Sequence, residues 1–193
     1  MTKDEILSKF DRNGHITMKE AEFMYDNIIK LPDKGRALDV CTGMGDSSML
    51  LALTKPNWTI YTIDGYGLYG STGNIWNKQG ENNYRPQGIT TVLAKFKNYN
   101  VKNIISMVGN SWDVPWELPV DVLYIDADHS HKGVGNDVNH LSKFVKKGGF
   151  MGFHDYNNHY CVKEYIDQNL LDDWTLDKRE GIALAILRRK SDN

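Results

Sequence analysis

At 193 residues, with 40% hydrophobic, 25% charged and 11% aromatic residues, the chain has the composition of an ordinary globular protein and fits a single domain. A chain of this size buries roughly 70% of its unfolded surface and needs no disulfide or metal staple to hold a core. The net charge of −2, with no Lys/Arg stripe to neutralise a row of phosphates, argues against nucleic acid as the main partner and towards something smaller.

The opening segment, residues 1–34, reads as helical. Thr17 stands three residues before Glu20 as a capping box requires, and the apolar spacing from Met18 to Ile29 predicts a helix over 17–30. Such a helix can serve as a dimer contact or as a cover for an active site, so a homo-oligomer is one expectation. Residues 35–193 form the main body. "RALDV" is a short buried strand that enters the glycine turn "CTGMGDSS", and "MLLALT" reads as the helix behind it. Four more strands follow: "WTIYTI" ending at Asp64, "NIISMV" at Gly109, "VDVLYI" at Asp126 and "GFMGF" at His154. Helical spacing over 89–99, 134–146 and 160–171 alternates with these strands, the signature of an α/β fold with a parallel sheet covered on both faces. "DWTLDK" and "IALAILRR", separated only by "REG", predict an antiparallel hairpin at the end. Cys41 and Cys161 are far apart, and neither a signal peptide nor a membrane-length apolar run is seen, so the expectation is a cytoplasmic protein.

In an open parallel sheet the ligand crevice lies beyond the carboxyl ends of the strands, and the first strand-to-helix turn lines it. Gly43 and Gly45 let the backbone bend and approach a ligand, Ser47 or Ser48 is expected to cap the next helix, and Asp64 at the second strand tip can accept both hydroxyls of a ribose. A nucleoside cofactor follows. Ser48 replaces the third glycine of a dinucleotide fingerprint, and no GK[ST] follows the glycines, so a phosphate-free sulfonium nucleoside fits better than a nicotinamide dinucleotide or a nucleoside triphosphate. The long stretch 65–88 carries Tyr66, Tyr69, Trp76 and Tyr84, which either cover the substrate or fill a hydrophobic gap.

Together "ALDVCTGMGDSS", "IYTIDGY", "VGNSWD", "DVLYIDADHSHKGV" and "KKGGFMGFHDYN" resemble the ordered motifs of class I S-adenosylmethionine-dependent methyltransferases. The "IDADHS" and "FHDY" parts resemble the antibiotic and sugar O-methyltransferase subgroup. The resemblance implies a Rossmann-like methyltransferase fold: a seven-stranded, mostly parallel sheet with one antiparallel C-terminal strand and helices on both faces. It also implies S-adenosylmethionine as cofactor, with Asp39, Thr42, Gly43, Met44 and Gly45 at the methionine end, Asp64 on the ribose, and Asn110, Ser111 and Trp112 on the adenine side. Cys41 departs from the glycine that the family usually has there.

Asp126 closes the fourth strand, while His154 and Asp155 close the fifth; neighbouring strands end about 5 Å apart, so these side chains should converge. Metal-dependent relatives such as catechol O-methyltransferase bind magnesium at the matching positions. The resemblance therefore implies a divalent metal, magnesium or manganese, on Asp126, His154 and Asp155, with Asp126 also against the cofactor. His154 departs from an all-oxygen shell, so it either stays off the metal or tilts the choice towards manganese, iron or zinc. His129 is the candidate general base, so Asp126 and His129 are the expected catalytic pair. The plainer alternative makes His129 and His131 caps of the following helix or solvated loop residues. Asp128 and Asp137 read as structural, and His15, His140 and His159 as isolated surface or packing residues. The leading expectation is a metal-assisted O-methyltransferase for a small hydroxylated molecule such as a sugar or glycosylated metabolite. A metal-independent enzyme with His129 as sole base, a catalytically silent adenosine-binding module and a nicotinamide oxidoreductase stay open.

Overall fold

The computed structural model describes residues 1–10, 16–66 and 88–190. Tyr69, Trp76, Tyr84 and His15 lie outside the described residues. In chain order the elements are α1 (Lys3–Leu7), α2 (Met18–Ile28), β1 (Arg36–Val40), α3 (Asp46–Thr54), β2 (Thr59–Asp64), α4 (Ile89–Asn98) and β3 (Ile104–Val108). They continue with β4 (Val120–Ile125), α5 (His131–Leu141), β5 (Val145–Phe153), α6 (Tyr160–Asn169), β6 (Trp174–Lys178) and β7 (Ala185–Arg189). Among the described residues, no helix is long and apolar enough to cross a membrane.

The strands form one 7-stranded sheet in the order β3-β2-β1-β4-β5-β7-β6, and β7 runs antiparallel to both of its neighbours while the remaining pairings are parallel. The chain moves outward from β1 to β3, then returns to place β4 on the other side of β1. Strand order reverses between β1 and β4, so their carboxyl ends frame a crevice. Alternation along β4 assigns its side chains to two layers: Val122 and Tyr124 join the apolar cluster of α1 to α4, whereas Leu123 and Ile125 join that of α5 and α6. Each fully buried aliphatic chain contributes about 1.5–3 kcal/mol, so these layers hold the strand tips in place.

Local chemistry explains most boundaries. Thr17 and Glu20 form a reciprocal capping box on α2, and Thr2 and Glu5 form another that starts the short α1. The helix expected over 134–146 ends earlier. Ser130 caps α5 by accepting from Gly133 N, a 3-10 turn occupies Ser142–Phe144, and β5 starts at Val145. A register shift against β4 follows, and Lys146 there pairs with Asp121 at 2.8 Å, which draws residues expected at a helix end into the sheet. Ile182 to Leu184, expected within the last strand, precede β7. Their backbone is engaged elsewhere: Ala183 N donates to Glu20 at 2.8 Å, and Ala183 O accepts from Tyr156 N at 2.8 Å.

Candidate active site

The glycine turn leaves β1 through residues in left-handed backbone: Cys41 at φ 78, Gly43 at φ 50 and Gly45 at φ 80. A Cβ at Gly45 would also meet the Phe96 ring at 2.7 Å, so glycine is required there on two grounds. Gly45 is the residue that precedes α3, and Ser47 and Ser48 do not cap the helix. Instead both hydroxyls donate to Oδ2 of Asp39, which is fully buried beneath the turn. Burial pushes the Asp39 carboxyl up to about 7, against the hydrogen bonds from the serines. Asp64, at the tip of β2, accepts from Gly43 N at 2.9 Å through Oδ2 and from Tyr66 N at 2.7 Å through Oδ1. It therefore stands against the turn from the adjacent strand. Met44 O accepts from Lys95 Nζ at 3.0 Å. Tyr66 turns back into the core, and its hydroxyl donates to Thr42 at 3.0 Å, so it fills a gap in the fold.

After β3 the three expected adenine-side residues diverge. Asn110 Nδ2 donates to Asp113 at 3.0 Å, Trp112 is 41% exposed, and Ser111 turns inward to donate to Asp137 on α5. Burial pushes the Asp137 carboxyl up to about 6, against the hydrogen bond from Ser111. His140 Nε2 donates to Val114 O at 2.8 Å, which ties α5 to the loop after β3.

The carboxyl ends of β4 and β5 carry the convergent cluster. Asp126, His154 and Asp155 each offer a ligand atom, and these atoms lie within 4.8 Å of one another. His154 Nδ1 is 3.4 Å from Asp126 Oδ1 and 3.1 Å from Asp155 Oδ2. His129 Nε2 is 3.3 Å from Asp126 Oδ1 and 3.4 Å from Asp155 Oδ2. Neither ring nitrogen of His154, though buried, has a partner at hydrogen-bonding geometry. Two carboxylates and an imidazole with unspent lone-pair positions make a donor set that suits a divalent transition ion better than magnesium. Asp155 holds its place at φ 60, a left-handed conformation of the kind that gathers at functional sites. Burial opposes charge throughout, yet the carboxylates outweigh it: they raise His154 and His129, while the imidazoles hold Asp155 below the usual carboxylate range.

The cluster adjoins the glycine turn, because Asp126 N donates to Val40 O at 3.1 Å. Ser130 rather than either histidine caps α5, and His131 lies edge-on to Tyr165 at 5.1 Å. Asp128 is exposed and accepts from Ser130 N at 2.9 Å, a structural role as expected. His159 is exposed but not isolated: its ring lies 4.3 Å from that of His129, and it groups with His129 and Asp155 as possible ligands. Glu20 was legible only as a capping residue. It reaches the cluster from α2, with Oε2 3.6 Å from His154 Nε2.

The sequence profile of the family described as "Methyltransferase domain" matches residues 40–156. Protein R132 of Acanthamoeba polyphaga mimivirus, an uncharacterized protein, is 45% identical over 150 residues, which make up 78% of this chain and 63% of that one. The chain thus spans less than two thirds of that relative. Among solved structures, the O-methyltransferase NovP superposes with a TM-score of 0.73 at 15% identity, over 98% of this chain and 89% of its own. The MycE methyltransferase of the mycinamycin biosynthetic pathway, solved with Mg, SAH and mycinamycin VI, superposes with a TM-score of 0.63 at 15% identity, over 97% of this chain and 54% of its own. At these identities the likeness is one of fold.

Proposed function

The chain belongs to the methyltransferase-domain family, and from that premise we propose that it transfers the methyl group of S-adenosylmethionine to a hydroxyl of a small molecule, a sugar or glycosylated metabolite. The observation that carries this reading is the junction of two sites: the Asp126 backbone is hydrogen-bonded to the end of β1, where the glycine turn begins, while its side chain belongs to the His/Asp cluster. A methyl donor on the turn therefore meets an acceptor on the cluster.

In this reading Thr42, Gly43, Met44 and Gly45, braced from below by Asp39, hold the methionine end. Asp64 faces the ribose, Asn110 and Trp112 border the adenine while Ser111 braces the same loop from within through Asp137, and Asp126 stands between cofactor and acceptor. Asp126, His154 and Asp155 hold a divalent metal, which when bound lowers the pKa of the acceptor hydroxyl. His129 takes the hydroxyl proton. The oxygen attacks the methyl carbon, the carbon–sulfur bond breaks, and its electron pair stays on sulfur to leave neutral S-adenosylhomocysteine. The protein's share is orientation and deprotonation, since the sulfonium already activates the methyl group. A second reading, metal-independent transfer, draws on one observation: His154 is ringed by the carboxylates of Glu20, Asp126 and Asp155, which favour its imidazolium form and so a fixed cation in the cluster.

Incubation with S-adenosylmethionine, a panel of hydroxylated sugars and Mn2+ or Mg2+, read by mass spectrometry, tests the proposal. A product heavier by one methyl group is expected, lost on treatment with chelator. Product formation untouched by the chelator selects the metal-independent reading, and tight S-adenosylhomocysteine binding without any methylated product across the panel contradicts both.

A further inference from the structure

We propose that Glu20, on the N-terminal helix α2, positions His154 so that its Nδ1 faces the metal, making α2 part of the metal centre. The inference rests on the reading of Asp126, His154 and Asp155 as ligands. Glu20 is 3% exposed, far deeper than helix capping alone demands. Both of its oxygens are pinned: Oε2 accepts from Thr17 N and Thr17 Oγ1, each at 2.8 Å, and Oε1 accepts from Ala183 N at 2.8 Å. These donors come from opposite ends of the chain and leave the carboxylate little freedom. Its Oε2 faces His154 Nε2 at 3.6 Å, beyond hydrogen-bond length but within ion-pair reach, while Nδ1, on the other edge of the ring, faces Asp126 and Asp155 at 3.4 and 3.1 Å.

An imidazole has two nitrogens, and a carboxylate held against one of them selects the tautomer that presents the other as a lone pair. This carboxylate–histidine–metal relay orients the ring and raises its basicity, and losing the outer partner typically weakens metal binding about 10- to 100-fold. A purely structural Glu20 would cap α2 and tie it to Ala183 without touching metal affinity. The two roles separate experimentally, because Gln at the same position keeps an acceptor for the capping box but carries no charge, and the acceptor it loses at Ala183 N is reported by thermal stability rather than by Mn2+ affinity.

The full chain, stripped of metal, is titrated with Mn2+ by calorimetry as wild type, Glu20→Gln, Thr17→Ala and Asp155→Ala, with S-adenosylhomocysteine binding and circular dichroism measured in parallel. Glu20→Gln should weaken Mn2+ binding by roughly 10- to 100-fold with S-adenosylhomocysteine affinity kept, whereas Thr17→Ala, which removes one hydroxyl but leaves the Glu20 carboxylate held by the backbone N of residues 17 and 183, should lower thermal stability and weaken Mn2+ binding far less than Glu20→Gln. Pulsed EPR of the Mn2+ complex should show imidazole-nitrogen coupling that disappears in His154→Asn and survives in His129→Ala. Should Glu20→Gln fail to fold, Glu20→Asp, which keeps the charge but withdraws it, serves the same comparison. Mn2+ binding equal to wild type in the Glu20 variant overturns the inference while the metal site stands, whereas imidazole-nitrogen coupling that survives His154→Asn removes His154 from the ligand set and overturns both. No Mn2+ uptake by wild type, or undiminished uptake by Asp155→Ala, overturns the underlying reading as well.

Discussion

Asp155 Oδ2 lies 3.1 Å from Nδ1 of its own sequence neighbour, His154. Adjacent residues on a regular strand point to opposite faces, so both can serve one site only because the chain leaves β5 at this point and Asp155 adopts φ 60. The carboxylate is thus placed by backbone geometry that forms independently of the glycine turn. Replacing Asp155 by Ala should abolish methyl transfer while S-adenosylhomocysteine affinity, measured by calorimetry, changes little. Equal loss of turnover and cofactor binding would place Asp155 in the cofactor pocket instead.

His129 should govern the pH dependence. Burial lowers its pKa, but the Asp126 and Asp155 carboxylates outweigh that and raise it above the ordinary 6.5. Only the neutral ring can accept the acceptor's proton, so kcat should climb with pH as the ring is deprotonated and then level off, at a midpoint that a divalent ion on Asp126 and Asp155 lowers by offsetting those carboxylates. His129→Asn should lose at least about 100-fold in kcat, the usual scale of general-base catalysis. It should also flatten this limb; an unchanged profile would move the base elsewhere.

Much of this organisation is legible in the sequence because it depends on local pattern. The apolar runs that end in Asp64, Asp126 and His154 became parallel strands whose tips lie at the same, carboxyl end of the sheet, and the Thr17–Glu20 spacing marked the start of α2. What escaped depends on tertiary placement. Glu20 bonds to Ala183, 163 residues away, and no spacing rule reports such a contact. His159 reads as isolated because its partner His129 comes from the loop before a different helix. Ser47 and Ser48 look like caps, yet the left-handed turn at Gly45 moves the helix start before them and turns both hydroxyls onto Asp39.

Asp137 links the α5 layer to the loop after β3, and its burial carries a sign. Its folded pKa, about 6, lies above the ordinary 3.8, so the favourable contribution is present below pH 3.8 and is lost as pH rises through about 6. Asp137→Asn removes this titration. Relative to that variant, the wild type should lose on the order of 2–3 kcal/mol of stability between pH 4 and pH 8, seen as a narrowing gap in denaturant midpoints or a crossing of the two curves. Parallel curves would mean that Asp137 is as easily ionised folded as unfolded.

Two glycines with nearly the same backbone angle separate conformational strain from crowding. Gly45 has φ 80 and Gly148 has φ 82, but a Cβ at Gly45 would lie 2.7 Å from the Phe96 ring, whereas one at Gly148 meets nothing within 4 Å. Gly148→Ala therefore bears only the left-handed penalty, about 1 kcal/mol, and should leave S-adenosylhomocysteine binding as it was. Gly45→Ala bears the same penalty plus displacement of an aromatic ring from a packed core, about 1–3 kcal/mol more. It also distorts the turn on which the cofactor is proposed to rest, so S-adenosylhomocysteine affinity should fall with stability. Chemical denaturation with parallel calorimetry on both variants checks the pair. Equal stability losses would show that Phe96 yields freely, and intact binding in Gly45→Ala would remove the turn from the cofactor site.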